Sequence, residues 1–205
     1  MVISLIGMSG VGKSYWSKKL KDELAFQLFS CDDEIEKALS PILSKLGYNG
    51  INDVSKWMGQ PYQESYSKNS QKYLDLENKV LEKILEKIEK NEFNNQKLVI
   101  DTTGSVVYCR KDLQQKLKKL SKIIYFKAQK EDYQQMYETF IKDPKPIIWG
   151  DDFKALDILS DKENLKVCYP NLLQFRSQKY QELADKTIQI KNLHSEFFKV
   201  EDLFL

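Results

Sequence analysis

Short apolar runs alternate along the chain with longer stretches in which apolar residues recur every three or four positions. The apolar runs predict five strands, at residues 2–6, 25–30, 98–100, 123–126 and 187–190. Nearly continuous apolar runs are typical of strands buried on both faces of a parallel sheet. Because helical periodicity separates most of these strands, we expect right-handed βαβ units with helices covering both faces.

The helical stretches differ in how clearly the pattern marks them. Residues 73–90 carry one apolar stripe among interleaved Glu and Lys residues, which predicts an amphipathic helix with a solvated face. Further helices are expected from Lys13, at about 110–120 and 130–142, from Pro170 at a first helical turn to about Ala184, and at 193–204. Residues 41–70 are the least regular part of the chain.

The size and the charge of the chain limit what it can be. With 205 residues, of which 41% are apolar, it fits one domain, residues 1–205, of the α/β class. The 32 basic and 30 acidic side chains leave a net charge of +2, which gives no strong attraction to nucleic acid or to an anionic membrane.

The cysteines and the single histidine exclude several kinds of site. Cys31, Cys109 and Cys168 have no CxxC spacing, which argues against a disulfide framework or a cysteine-based zinc site. One histidine, His194, excludes a histidine-rich metal cluster. Since no apolar run reaches 18 residues and no signal-peptide pattern is present, we expect a cytoplasmic protein. We also expect a monomer or weak dimer.

A phosphate-binding motif follows the first predicted strand. Residues 7–14 read GMSGVGKS and match GxxxxGK[ST] between a strand and a helix, where glycines let backbone N–H groups face a phosphate. The helix N-terminus adds its positive end. The motif predicts ATP and Mg²⁺ as cofactors, with Lys13 at the β- and γ-phosphates and Ser14 on the metal. The candidate nucleotide-binding residues are Gly7, Met8, Ser9, Gly10, Val11, Gly12, Lys13, Ser14 and Tyr15.

Two carboxylates come directly after predicted strands. Asp32 follows the second strand and is a candidate to orient or deprotonate an attacking hydroxyl; alternatively it belongs to the acidic first turn of a helix. Asp101 ends the third strand and is a candidate Mg²⁺ ligand; alternatively it caps the next turn. The small residues Thr103, Gly104 and Ser105 follow, in a turn that allows close approach of a substrate.

These features resemble the shikimate kinases over nearly the whole chain. The segments that carry the resemblance are residues 7–14, 29–37, 57–61, 73–77, 99–105, 145–148 and 176–185. The resemblance implies an α/β P-loop-type three-layer sandwich with a parallel sheet of about five strands, a substrate-binding insert at 33–75 and a lid at 142–165. It also implies transfer of the γ-phosphoryl of MgATP to a hydroxyl of a small, acidic metabolite. By the same resemblance, Asp32 binds substrate hydroxyls, and Thr103, Gly104 and Ser105 lie in the substrate turn. It further implies that Arg176 binds a substrate carboxylate, and that Lys145 belongs to the lid and binds the nucleotide.

The chain departs from the family pattern at several of these positions. Ser30 stands where the family has the first Asp of a DxD pattern, which helps to organise Mg²⁺, and we expect Asp101 to take over that role. Leu74 replaces a second carboxylate-binding arginine, and Lys145 replaces the lid arginine, which forks two hydrogen bonds where lysine cannot. Arg176 itself has an alternative interpretation as an ordinary ion pair with Glu182 or another acid.

Two other functions stay open on the sequence. One is a related kinase that acts on gluconate or on a nucleoside. The other is a regulatory protein that binds ATP and has lost acceptor chemistry.

Overall fold

The apolar runs form one parallel sheet in the computed structural model, which describes residues 1–204 apart from the Ile51 side chain. The strands are β1 (Val2–Ile6), β2 (Gln27–Ser30), β3 (Leu98–Asp101), β4 (Lys122–Lys127) and β5 (Lys186–Gln189). Their order across the sheet is β2-β3-β1-β4-β5, and every neighbouring pair is parallel. Parallel strands end at the same edge of the sheet, and Ser30 and Asp101 are the last residues of β2 and β3. The two residues are also paired in register.

Helices flank this sheet and connect its strands. They are α1 (Lys13–Leu24), α2 (Cys31–Leu43), α3 (Ile51–Met58), α4 (Tyr66–Glu89), α5 (Lys111–Leu120), α6 (Tyr133–Lys142), α7 (Asp161–Leu183) and α8 (Ile190–Leu193). Short 3₁₀ turns lie at 44–46, 106–108, 130–132 and 200–203. In the described part of the chain, no helix is both long and apolar enough to cross a membrane.

Two apolar clusters hold these elements together. The larger one surrounds the sheet and includes Ile3, Ile100 and Phe126, all fully buried. The smaller one joins α2, α3 and α4 around Ile35 and Met58, and it gives the predicted insert, residues 33–75, a core of its own. The region 41–70 is thus more regular than the sequence indicated, since it contains α3 and the first turn of α4.

The prediction that a late helix begins at Pro170 is wrong, because α7 begins nine residues earlier, at Asp161. Ser160 and Glu163 form a capping box there, each side chain accepting a hydrogen bond from the backbone N–H of the other. Pro170 lies inside the helix on its exposed side. Water can reach the carbonyl that loses its amide partner at such a position, which lowers the cost of an interior proline.

The predicted helix at 193–204 is also wrong. The chain forms only α8 and, after a break, a 3₁₀ turn at Val200–Leu203. Phe198 packs edge-on against Trp16, with ring centroids 5.2 Å apart, and Val200 and Leu203 are buried. The apolar positions of this segment therefore follow the surface of α1 and not a helical period.

Candidate active site

The loop between β1 and α1 has the backbone geometry that its glycines predict. Gly7, Gly10 and Gly12 have φ of 143°, 83° and 94°, values that residues with a side chain rarely adopt. A Cβ on Gly7 would lie 2.8 Å from the carbonyl oxygen of Phe126, so the loop also packs too closely on β4 for any larger residue. The loop then leads directly into the N-terminus of α1.

Lys13 lies inside this loop. Its side chain is buried, and Nζ donates hydrogen bonds to the carbonyl oxygens of Gly7 at 2.9 Å and of Met8 at 3.0 Å. Burial lowers the pKa of the amine, and the charges of Asp101 and Asp32 oppose that shift. One lysine and two carboxylates therefore share a single electrostatic environment.

Asp101 ends β3 beside the phosphate-binding loop. It is 6% exposed, and burial raises its pKa, whereas the Lys13 charge and the Ser14 hydroxyl oppose the shift. Its Oδ1 atom is buried and has no hydrogen-bond partner among residues 1–204. Oxygen atoms of a single carboxylate and a hydroxyl suit Mg²⁺, which usually binds one or two carboxylates together with substrate phosphates. The pair fits the metal that the sequence predicts.

Asp32 occupies the first turn of α2. The hydroxyl of Tyr73, on α4, donates a hydrogen bond of 3.1 Å to its Oδ1 atom. Burial raises the pKa of Asp32, and the Lys13 charge and the Tyr73 hydrogen bond oppose that change. The helix is capped by Ser30, whose Oγ accepts from the N–H of Asp33 at 3.2 Å. Asp32 thus lies in the acidic first turn of α2, as its alternative interpretation states, and its carboxylate also contacts a residue of another helix.

Thr103 and Ser105 are directed toward the buried carboxyl group of Glu77, which lies in the segment 73–77 that carries the family resemblance but is not among the candidate site residues. Both hydroxyls donate to Glu77 of α4, Ser105 at 2.5 Å. Burial raises the pKa of Glu77 to about 7, although the two hydroxyls lower it. One signal was present in the sequence, since Tyr73 and Glu77 are four residues apart in the apolar stripe of α4.

Arg176 of α7 is 2% exposed and lies under the same turn. Its Nη1 donates to the carbonyl oxygen of Gly104 at 2.8 Å, its Nη2 donates to the carbonyl oxygen of Ile148, and its Cζ lies 5.2 Å from the Tyr108 ring centroid. The alternative ion pair with Glu182 is not formed, because Lys179 pairs with that carboxylate. In this arrangement Arg176 connects the turn to the predicted lid.

The predicted lid is attached to the protein at its centre. The Tyr66 hydroxyl donates to the carbonyl oxygen of Ile147 at 3.0 Å and accepts from the N–H of Trp149 at 2.8 Å. Trp149 is 1% exposed and belongs to the main core. Lys145 points to the cavity side, where its Nζ lies 2.8 Å from Asp143.

One cavity of about 520 Å³ brings most of these groups together. Among the predicted residues, those lining it are Met8, Ser9, Gly10, Gly12, Lys13, Ser14, Tyr15, Asp32, Asp101, Gly104, Lys145 and Arg176. Four predicted residues, Gly7, Val11, Thr103 and Ser105, are buried behind its wall. The arrangement places a phosphate-binding loop, a candidate metal site and a second carboxylate around one space.

No family model and no curated protein matches the chain, whereas solved structures do. The shikimate kinase from Acinetobacter baumannii in complex with shikimate is 21% identical, with a TM-score of 0.58 over 98% of this chain and 87% of that one. The enzyme from Bacteroides thetaiotaomicron is 15% identical, with a TM-score of 0.61 over 98% and 93%. The Aquifex aeolicus enzyme is 19% identical, with a TM-score of 0.53 over 99% and 90%.

The resemblance to the shikimate kinases is therefore confirmed at the level of the fold. The predicted α/β sandwich with a parallel five-stranded sheet is confirmed as well.

Proposed function

We propose that the protein is a kinase that transfers the γ-phosphoryl group of MgATP to a hydroxyl of a small metabolite. One observation carries the proposal: Lys13, Ser14, Asp101 and Asp32 come from three different segments and face one cavity. The fold shared with the shikimate kinases supports it. Phosphoryl transfer needs positioned charges more than covalent chemistry, and this cavity supplies them.

The loop and Lys13 would bind the nucleotide phosphates. Backbone N–H groups of residues 7–14 and the N-terminus of α1 offer donors to phosphate oxygens, and the Lys13 ammonium adds a charge. Mg²⁺, when bound with the nucleotide, neutralises charge on the β- and γ-phosphates. Ser14 and Asp101 would hold it, since the Asp101 carboxylate has an oxygen without a partner in the described part of the chain.

Asp32 would act on the acceptor. Its carboxylate lines the cavity and is fixed by Tyr73, so it can orient an attacking hydroxyl and accept the proton that the hydroxyl loses. A carboxylate with a raised pKa holds that proton better at neutral pH than an exposed one. The lid around Ile147 closes one side of the cavity, which would limit hydrolysis of ATP by water.

The proposal is tested by ADP release from MgATP, with shikimate first and then with a panel of hydroxy acids, sugars and nucleosides. Lys13→Ala is the inactive blank, and Lys18→Ala, an exposed lysine on the same helix, is the matched control. Release that depends on an acceptor and on Lys13 but not on Lys18 supports a kinase. ATP binding without release for any acceptor would favour the non-catalytic ATP-binding protein.

A further inference from the structure

The cavity offers few positive charges to an acceptor. Among the described residues that line it, the basic ones are Lys13, Lys145 and Arg176. Lys13 belongs to the phosphate-binding loop, where its ammonium group bonds two loop carbonyls. Arg110, the second arginine of the chain, is outside the cavity and pairs with Glu82 at 2.6 Å. An anionic acceptor would therefore depend on Lys145 and Arg176.

Both of these side chains are already bonded to groups of the protein. Arg176 is 2% exposed, and its two terminal nitrogens donate to the carbonyl oxygens of Gly104 and Ile148. Its remaining nitrogen, Nε, is buried and has no hydrogen-bond partner among residues 1–204, so the guanidinium edge that Nε shares with a terminal nitrogen is not exposed to a carboxylate in the cavity. Lys145 pairs with Asp143 and donates to the side chain of Asn52.

Negative charges dominate the wall formed by α2. Asp32, Asp33 and Glu36 all line the cavity from the first turns of this helix. Lys37 pairs with Glu34, at 2.7 Å, and among residues 1–204 no salt bridge joins Asp33 or Glu36 to a lysine or arginine. A carboxylate in this part of the cavity would face three acidic groups. In a partly enclosed space their repulsion is screened less than on an open surface.

We infer that the acceptor carries no negative charge and is a neutral or amine-bearing polyhydroxy compound, such as a sugar, a nucleoside or an amino sugar, and not a hydroxy acid. The inference rests on the proposed function and specifies its substrate class. It replaces the expectation of an acidic acceptor, which depended on Arg176 being free to bind a carboxylate.

Acceptors that differ mainly in charge test the inference. Glucuronate, glucose and glucosamine form one set, and shikimate and methyl shikimate form another. We expect kcat/KM for the best neutral or amine-bearing member of a set to exceed that for the acid at least tenfold. An acid that is used as well as or better than its uncharged counterpart would overturn the inference and leave the kinase function intact.

A charge reversal on α2 tests the cause of this preference. Glu36→Lys should lower the ratio of neutral to acidic kcat/KM at least tenfold, because it places a cation on the cavity wall. Glu34→Lys, on the same helix but outside the lining, is the matched control and should leave the ratio within twofold. An unchanged ratio in Glu36→Lys would mean that the acidic wall does not select the acceptor.

A binding measurement separates failure of this inference from failure of the kinase function. If no acceptor is phosphorylated although ATP binds, the kinase function fails. The midpoint of thermal unfolding is then measured with a non-hydrolysable ATP analogue and each member of the two sets. Neutral or amine-bearing compounds should raise the midpoint more than the acids do, and the opposite order would overturn the inference.

Discussion

Glu77 is a buried residue of α4, and the ionisation of its carboxyl group should affect the stability of the fold. It is 2% exposed, it accepts hydrogen bonds from Thr103 and Ser105, and burial raises its pKa from 4.5 to about 7. Replacing it by glutamine keeps the shape of the side chain and removes the titration. A glutamine can still accept from one hydroxyl and donate to the other.

The magnitude follows from the difference in pKa between the folded and unfolded chain. Below about pH 4.5 the group is protonated in both states and costs nothing. As the pH rises to about 7, the unfolded chain ionises first, so the folded state loses about 1.4 kcal/mol per pH unit and the loss then levels off. Between about pH 5.5 and about pH 8 the contribution of Glu77 to the free energy of unfolding falls by roughly 2 kcal/mol.

Urea unfolding at several pH values measures this effect through the fluorescence of the three tryptophans. The stability of Glu77→Gln relative to the parent protein should rise by roughly 2 kcal/mol from about pH 5.5 to about pH 8. Glu86→Gln, at an exposed site on the same helix, is the matched control for the substitution. Parallel pH curves for Glu77→Gln and the parent protein would refute the buried, ionisable state of Glu77.

Three further predictions concern the cavity and its lid. Asp32→Asn should keep ATP affinity but lower acceptor-dependent turnover at least ~100-fold, and unchanged turnover would remove Asp32 from the proposed mechanism. Asp101→Ser should raise the Mg²⁺ concentration for half-maximal activity about tenfold. Adding Ser30→Asp should restore the parental Mg²⁺ requirement, since the two residues stand in register. An unshifted Mg²⁺ titration would mean that Asp101 has a structural role only. Tyr66→Phe removes two hydrogen bonds from the lid, so it should lower the free energy of unfolding in urea by about 1–2 kcal/mol. It should also raise the rate of ATP hydrolysis without acceptor. Hydrolysis at the parental rate would show that Tyr66 does not hold the lid closed.

The parts of the fold that the sequence predicts well are those that depend on local pattern. The five strands follow from apolar runs, and the loop at residues 7–12 follows from glycines, three of which have positive φ. The predicted start of α7 lies too late in the chain because the prediction places Pro170 in the first helical turn. The capping box of Ser160 and Glu163, which marks the true start, is also present in the sequence. A proline on an exposed helix face does not end the helix.

The parts of the site that were not predicted depend on contacts between distant segments. Glu77 accepts hydrogen bonds from Thr103 and Ser105, which lie 26 and 28 positions further along the chain. Arg176 donates to the carbonyl oxygen of Gly104, which lies 72 positions earlier. Periodicity places Glu77 on the apolar face of α4, but it does not show which turn lies beneath it. For the same reason the sequence identified Arg176 as a candidate site residue, but it did not show that the Arg176 side chain donates to backbone carbonyls.

The register of β2 and β3 supports the proposed role of Asp101 as the Mg²⁺ ligand in place of a carboxylate at residue 30. Ser30 and Asp101 are paired across neighbouring parallel strands, which are about 4.8 Å apart, and both line the cavity. A carboxylate at either strand end therefore reaches nearly the same place beside Ser14. Because Ser30 also caps α2, the acidic residue on β3 leaves that cap in position while it supplies the charge. The resemblance to the shikimate kinases indicates the exchange of an acid between two strand ends, and the register shows that the two positions are neighbours.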